Sequence, residues 1–222
     1  MIGFQIKKRH RAVEASIVDR YKQLPVANIS DVMSRMFAGG PDLRPMHNGT
    51  GLAGSAVTVR CRPGDNLLVH KALEVAQAGD VIIVDAGGDL SNAIIGEIMV
   101  AYAKRRGLAG IVINGAIRDS AVIRQGDFPV FAAGVTHRGP YKDGPGEINV
   151  EISIGGMVIE PGDLIVGDAD GLLCVPFDLV DEVYRETVNK HEVEERMLAD
   201  IAAGTYDSSW VDTRLASLGC DL

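Results

Sequence analysis

Residues 79–119 constrain this chain more than any other stretch. A Gly79-Asp80 turn is followed by the β-branched run Val81 to Asp85 and then by the loop Gly87-Gly88-Asp89-Leu90-Ser91-Asn92. A helical run from Ile94 to Arg106 and a second apolar strand from Ile111 to Asn114 complete the segment. Short apolar runs bounded by turn residues read as buried strands, while the longer run between them has the length of a helix. This order returns both ends of the segment to one edge of a sheet. Twenty residues separate Glu97 from the pair Arg118-Asp119, so an acid and an arginine–aspartate pair are carried to the same edge.

The same punctuation recurs elsewhere. Strands are expected at Ala56 to Cys61, Val130 to Ala132, Ile148 to Ile152, Met157 to Ile159, Leu164 to Val166 (after Pro161-Gly162-Asp163) and Leu172 to Val175. Val13, Ile17 and Tyr21 have helical spacing that Pro25 ends, so the 1–27 segment reads as an N-terminal helix. A short helix should start at Ser30, its hydroxyl capping Val32 or Met33. Another helix is expected between Asp65 and Ala78. A terminal helix from Asp178 to Ala203 would turn Leu179, Val180 and Val183 inward, with the 178–222 tail at a subunit contact. The Gly39 to Gly54 stretch reads as a long loop over a site or contact. These elements predict one α/β sandwich domain spanning 1–222.

Composition excludes several classes. A net charge of −8 disfavours nucleic-acid binding by phosphate neutralisation. Apolar runs fall well short of the roughly 20 residues that cross a bilayer. Met1 to Arg11 lacks the apolar core of a secretory signal, so a cytoplasmic location is expected. Cys61, Cys174 and Cys220 are odd in number and widely spaced, which suits neither a disulfide framework nor a zinc cluster. The basic run Lys7-Lys8-Arg9-His10-Arg11 reads as a solvated helix start.

Three local features carry chemistry. Gly96-Glu97-Ile98-Met99 opens a helix, where free amides attract carboxylates; the alternative is close helix packing, with Glu97 complementing the helix dipole. Arg118 can grip a carboxylate through two hydrogen bonds and Asp119 offers an oxygen to a hard cation; the alternative is a surface ion pair or a cap for a helix beginning near Ser120. The small-residue turn Gly115-Ala116-Ile117 sets that pair at a strand end, where open α/β sheets hold ligands. Asp168-Ala169-Asp170-Gly171 lacks the rest of a calcium loop and reads as a hairpin turn, His70 reads as a packed or surface residue, and Thr136-His137-Arg138 could rim a pocket.

These residues resemble those of the class II 4-hydroxy-4-methyl-2-oxoglutarate / 4-carboxy-4-hydroxy-2-oxoadipate aldolases, which share a fold with the regulator of ribonuclease activity A. The likeness runs from Asn28 to Gly204. It rests on Gly87-Gly88, Gly96-Glu97, Gly115 to Asp119, Phe128-Pro129-Val130-Phe131 and Pro161-Gly162-Asp163 followed by Asp168 to Gly171. The resemblance implies a layered α/β/β/α sandwich of the swivelling-domain type. It also implies retro-aldol cleavage of a 4-hydroxy-2-oxo dicarboxylic or tricarboxylic acid to pyruvate with Mg²⁺ or Mn²⁺, and oxaloacetate decarboxylation as a second activity.

By the same resemblance, the amides of Gly96, Glu97, Ile98 and Met99 bind substrate oxygens, Arg118 holds the pyruvyl group, Asp119 ligates the metal and Glu97 hydrogen-bonds water in its shell. A homotrimer or homohexamer is implied, in which Glu194, or its neighbours Glu192 or Glu195, completes the next subunit's site. Where the family pattern has an acid three positions after the metal aspartate, this chain has Val122. A Schiff-base route is disfavoured because none of the lysines falls inside a strand-like apolar run. The competing reading is a non-catalytic regulator of the same fold that binds a ribonuclease. The loop Gly39 to Gly54 and residues Thr136 to Gly146 are expected to shape the distal pocket.

Overall fold

The computed structural model describes residues 3–49 and 51–221; the extreme ends of the 1–27 and 178–222 segments, and Thr50, lie outside the described residues. In chain order the first elements are β1 (Phe4–Ile6), α1 (Ala15–Tyr21), α2 (Val26–Val32), β2 (Arg44–Pro45), β3 (Leu52–Cys61), α3 (Leu67–Val75) and β4 (Asp80–Asp85). Next come β5 (Ala93–Ile95), α4 (Glu97–Arg105), β6 (Gly110–Ile117), α5 (Ser120–Gln125), β7 (Val130–Val135) and β8 (Gly146–Ile148). The chain closes with β9 (Ile152–Ile154), β10 (Met157–Ile159), β11 (Leu164–Gly167), β12 (Leu172–Val175), a 3-10 turn at Phe177–Leu179, α6 (Val180–Ala203) and α7 (Ser209–Ser217).

Strands β3, β4, β6 and β7 run parallel and form the centre of the main sheet, with β8 and then β1 beyond β3 and the short β2 beyond β7. Parallel strands covered on both faces need apolar side chains at every position, which is why these runs show no polar alternation. Alternate residues still go to opposite faces: Ile82, Val84, Ile111 and Ile113 pack under α3, α4 and α5, whereas Val81, Ile83 and Val112 meet the β9–β12 side. The outer face of β11 and β12, through Leu164, Val166, Leu173 and Val175, is covered by α1, α2 and the start of α6. The result is the α/β/β/α layering expected. Tyr21, fully buried, donates its hydroxyl to the Val180 carbonyl at 2.7 Å and so ties α1 to the root of α6.

Several local expectations are corrected. The 1–27 segment is not one helix: Phe4–Ile6 is a strand beside β8, residues 7–14 are non-helical, and only Ala15–Tyr21 is helical before α2. The basic run is held by acids distant in sequence, Arg9 to Asp80 at 2.7 Å and Arg11 to Asp163 at 3.0 Å, and a helix start cannot form under those ties. Ser30 lies inside α2, which begins at Val26 after Pro25, so its hydroxyl caps nothing. Ile94 and Ile95 belong to β5, which pairs with the end of β6, and the helix begins only after Gly96. Ile148 to Ile152 is broken at Asn149, which has a left-handed backbone (φ 56°), into β8 and β9. Leu179 is 38% exposed, while Val180 and Val183 are buried as expected.

Candidate active site

The parallel strands end together at one edge of the sheet, and the chemistry gathers there. At the tip of β4, Asp85 accepts hydrogen bonds from the Gly87 amide and the Asn114 side chain, each 3.0 Å, and so shapes the 87–92 loop. Strand β6 outruns β4 and takes β5 as its neighbour, with Arg118 donating its amide to the Ile95 carbonyl at 3.0 Å. This pairing sets the start of α4 directly against Arg118-Asp119. Asp119 has a left-handed backbone (φ 57°, ψ 31°), an unfavourable conformation for a residue with a Cβ and one that tends to occur where function demands it. Its Oδ2 accepts the Glu97 amide at 3.0 Å and lies 3.7 Å from Arg118 Nε.

Gly96 is fixed by space rather than by torsion. Its backbone is extended (φ −149°), open to any residue, but a Cβ there would lie 2.4 Å from Asp119 Oδ2 and 2.9 Å from Arg118 Cγ. The glycine of the Gly96-Glu97 motif therefore lets the helix mouth meet the strand tip.

Arg118 stands between two clefts. One, of about 520 Å³, is lined by Glu97, Asp119, Val122, Thr136 and His137. The other, of about 240 Å³, is lined by Asn66, His70, Ile98, Met99, Pro140 and Lys142. Asn66 is 2% exposed; it donates Nδ2 to the Ile94 carbonyl at 2.8 Å, and its Oδ1 is buried without a hydrogen-bond partner. Burial and the nearby Lys142 ammonium hold the His70 imidazole below its usual range, which favours the neutral ring.

A family model described as RraA-like: Aldolase/RraA matches residues 26–174. The chain belongs to the RraA-like family. A protein of Halalkalibacterium halodurans named "Putative 4-hydroxy-4-methyl-2-oxoglutarate aldolase" is 39% identical over 190 residues, covering 84% of this chain and 90% of that protein. Among solved structures, an uncharacterized protein from Pseudomonas syringae pv. tomato superposes with a TM-score of 0.78 at 27% identity over 88% of this chain and 96% of that one. The RNA-processing inhibitor RraA from Thermus superposes with a TM-score of 0.64 at 32% identity over 69% of this chain and 93% of that one. The named relative supports an aldolase reading of the RraA-like site, and the RraA neighbour leaves a regulator reading open.

Within that RraA-like frame, the structure brings Gly96, Glu97, Arg118 and Asp119 together, and Ile98 and Met99 line the smaller cleft. The Glu97 amide is already taken by Asp119, and the Met99 amide bonds the Gly96 carbonyl at 3.1 Å, so neither is a free donor for substrate. Glu194 lies elsewhere in the same chain, on α6 against α2, where it accepts from Asn28 at 2.8 Å and pairs with Lys190 at 2.9 Å. Lys190 and then Asn28 hold its carboxyl below the usual range. The Gly39–Gly54 stretch is not a single loop but contains β2 and the start of β3. Its residues Gly40, Pro41 and Arg44 line a separate cleft with Ala27 and Asp170 instead of the Arg118 clefts. The Thr136–Gly146 stretch reaches both clefts, Thr136 and His137 lining the larger and Gly139, Pro140 and Lys142 the smaller. Val122 is 49% exposed on the cleft wall where an acid was expected.

Among the described residues, no group of three or more His, Cys, Asp or Glu gathers as a metal cage. Mg²⁺ keeps several waters and can be held by one or two carboxylates plus substrate oxygens, so it needs no such cage. Asp119 and Glu97 both line the larger cleft. No helix among the described residues is long and apolar enough to cross a membrane.

Proposed function

We propose that this chain cleaves a 4-hydroxy-2-oxo dicarboxylic or tricarboxylic acid to pyruvate in a Mg²⁺- or Mn²⁺-dependent retro-aldol reaction, and decarboxylates oxaloacetate in the same site. The observation that carries the reading is the contact of the Gly96 helix mouth with Arg118-Asp119 at the ends of the parallel strands. Asp119 would hold the cation, which supplies Lewis-acid polarisation of the 2-oxo group when bound. Arg118 pairs with the substrate carboxylate and places its positive charge where the enolate oxygen develops as the C3–C4 bond breaks. The C4 hydroxyl proton leaves to water oriented by the exposed Glu97 carboxylate in the larger cleft. The electron pair of the broken bond becomes the pyruvate enolate, which is then protonated at C3. Oxaloacetate yields the same enolate when its C4 carboxylate leaves as CO₂, which is why one site serves both reactions.

The smaller cleft takes the distal part of the substrate. It is lined by Arg118 and Lys142, so a diacid can meet a cation with each carboxylate. We assign a homotrimer or a dimer of trimers to the active form, with Glu194 of a second copy completing the site. The apolar side chains exposed beside the clefts support a covering copy: Ile98 is 79% exposed, and Val122, Val135 and Tyr102 are about half exposed. The regulator reading draws on Val122 and on the RraA neighbour. It predicts a protein that binds a ribonuclease and releases no pyruvate.

The discriminating experiment follows pyruvate release from oxaloacetate and from a panel of 4-hydroxy-2-oxo acids. Turnover should vanish with a chelator and return with Mg²⁺ or Mn²⁺. Arg118→Ala should lower kcat/KM by about 10²–10³, the cost of deleting one charge-stabilising donor. No pyruvate from any substrate, or wild-type rates in Arg118→Ala, would sink the aldolase reading.

A further inference from the structure

We propose that Asp65 is a positioning residue for substrate recognition, holding the strap of residues 138–144 so that Lys142 faces Arg118 across the smaller cleft. The proposal deepens the oxo-acid reading above and rests on it for the ligand class.

The Asp65 side chain is fully buried in the turn before α3, and its partners come both from that turn and from a distant segment. Its Oδ2 accepts the amides of Asp143 at 2.8 Å and Gly144 at 2.9 Å, and pairs with Arg62 at 3.0 Å; its Oδ1 accepts the Leu67 amide at 2.9 Å. One carboxylate thus ties the strap to the first residue of α3. The backbone reinforces the tie: Tyr141 donates to the Gly64 carbonyl at 2.8 Å, and Asn66 donates to the Tyr141 carbonyl at 3.1 Å. The strap's other end is pinned separately, by the Ala93 amide on the Arg138 carbonyl at 2.8 Å and the Asn92 side chain on the Gly139 carbonyl at 2.5 Å. Pro140 and Lys142 lie between the two pins and form the wall of the cleft that also contains Asn66 and Arg118.

A buried carboxylate is costly to keep unless its donors are all in place, and here the donors come from the strap and the helix start together. Its bonds therefore fix Asn66, the next residue in the chain, relative to Lys142. Lys142 is exposed at the cleft, and none of the ion pairs of the described residues involves it. A cavity of about 240 Å³ with a guanidinium and an ammonium on its lining fits a short diacid better than a monoacid. Loosening the strap should therefore weaken diacids selectively while leaving the pyruvyl end, held by Arg118, intact.

The test is calorimetric titration of the full-length protein, in the presence of Mg²⁺, with 2-oxoglutarate as the diacid and pyruvate as the monoacid. Asp65→Asn and Asp65→Ala should weaken 2-oxoglutarate binding about tenfold or more and pyruvate less than about threefold. Lys142→Ala should show the same split, and combining it with Asp65→Asn should add little, because both act through one contact. Where the Asp65 variants do not fold, Asn92→Ala frees the other pin and should give the same selective loss. Equal weakening of both ligands would reduce Asp65 to a purely structural role. An unchanged 2-oxoglutarate affinity, or a wild type that does not prefer the diacid, would overturn the proposal. Because the titration needs no turnover, a wild type that binds both ligands but releases no pyruvate would remove the aldolase reading and leave the strap result standing.

Discussion

Asp119→Gly should abolish metal-dependent pyruvate release, by about a thousandfold or more, while leaving the melting temperature within a few degrees of wild type. The two effects separate because the aspartate stabilises the fold little at this position. Its backbone is left-handed, which costs a residue with a Cβ about 1 kcal/mol that glycine does not incur. Against this stands the hydrogen bond from the Glu97 amide at 3.0 Å, worth about 1 kcal/mol in a partly exposed setting. The terms nearly cancel for stability. On the proposed reading nothing cancels for catalysis, because the carboxylate that would hold the cation is gone. Thermal melting and a pyruvate assay across a Mg²⁺ titration check both halves. A variant that keeps activity within about tenfold of wild type would show that the cation is held elsewhere.

Gly96→Ala should lower kcat/KM by about a hundredfold, again with the fold preserved. The extended backbone at Gly96 admits alanine without strain, and the added methyl meets no main chain among its nearest atoms. It meets Asp119 Oδ2 at 2.4 Å, Arg118 Cγ at 2.9 Å and Arg118 Nε at 3.1 Å instead. Both side chains must move aside, and the Glu97 amide loses its acceptor. Displacements of about an ångström in a catalytic constellation cost about two orders of magnitude in rate. Steady-state kinetics with oxaloacetate, beside the Mg²⁺ affinity of the variant, measures the effect. Near-wild-type kinetics would mean that the pair need not touch the helix mouth.

The parts of the fold that could be read from the sequence are those whose physics is local. Val81–Asp85 and Ile111–Asn114 are apolar at nearly every position because they are covered on both sides, and they fall where expected. The second of them runs on to Ile117, because Gly115-Ala116-Ile117, expected as a turn, pairs with β5 and β7 as strand, and Arg118-Asp119 follows directly. Ile94 and Ile95 misled because a short apolar run fits a strand as well as a helix, and the partner that decides, the tail of β6, is distant in sequence. The basic run at 7–11 reads as solvated from its neighbours alone, because its partners Asp80 and Asp163 lie far along the chain. The 136–146 stretch falls at the clefts as expected, but nothing local singles out Lys142, whose strap is held by residues distant in sequence, 64–66 at one end and Asn92 and Ala93 at the other. Helix α7 and its C-cap carry Val211, Leu215 and Leu218 at helical spacing, but none of them is buried in the chain, so the pattern points to no partner within it.

Strand β3 serves two neighbours along the same edge: Leu52–Ser55 pairs with β11, and Val59–Cys61 pairs with β8. Its opposite edge pairs with β4 from Ser55 to Arg60. The two β layers therefore share a spine and cannot come apart one at a time, since peeling β11 away strips the root of the strand that β4 leans on. Unfolding is thereby coupled across the sheet, and the strand-end edge inherits the rigidity of the core that Ile95, Met99 and Ile117 join to it.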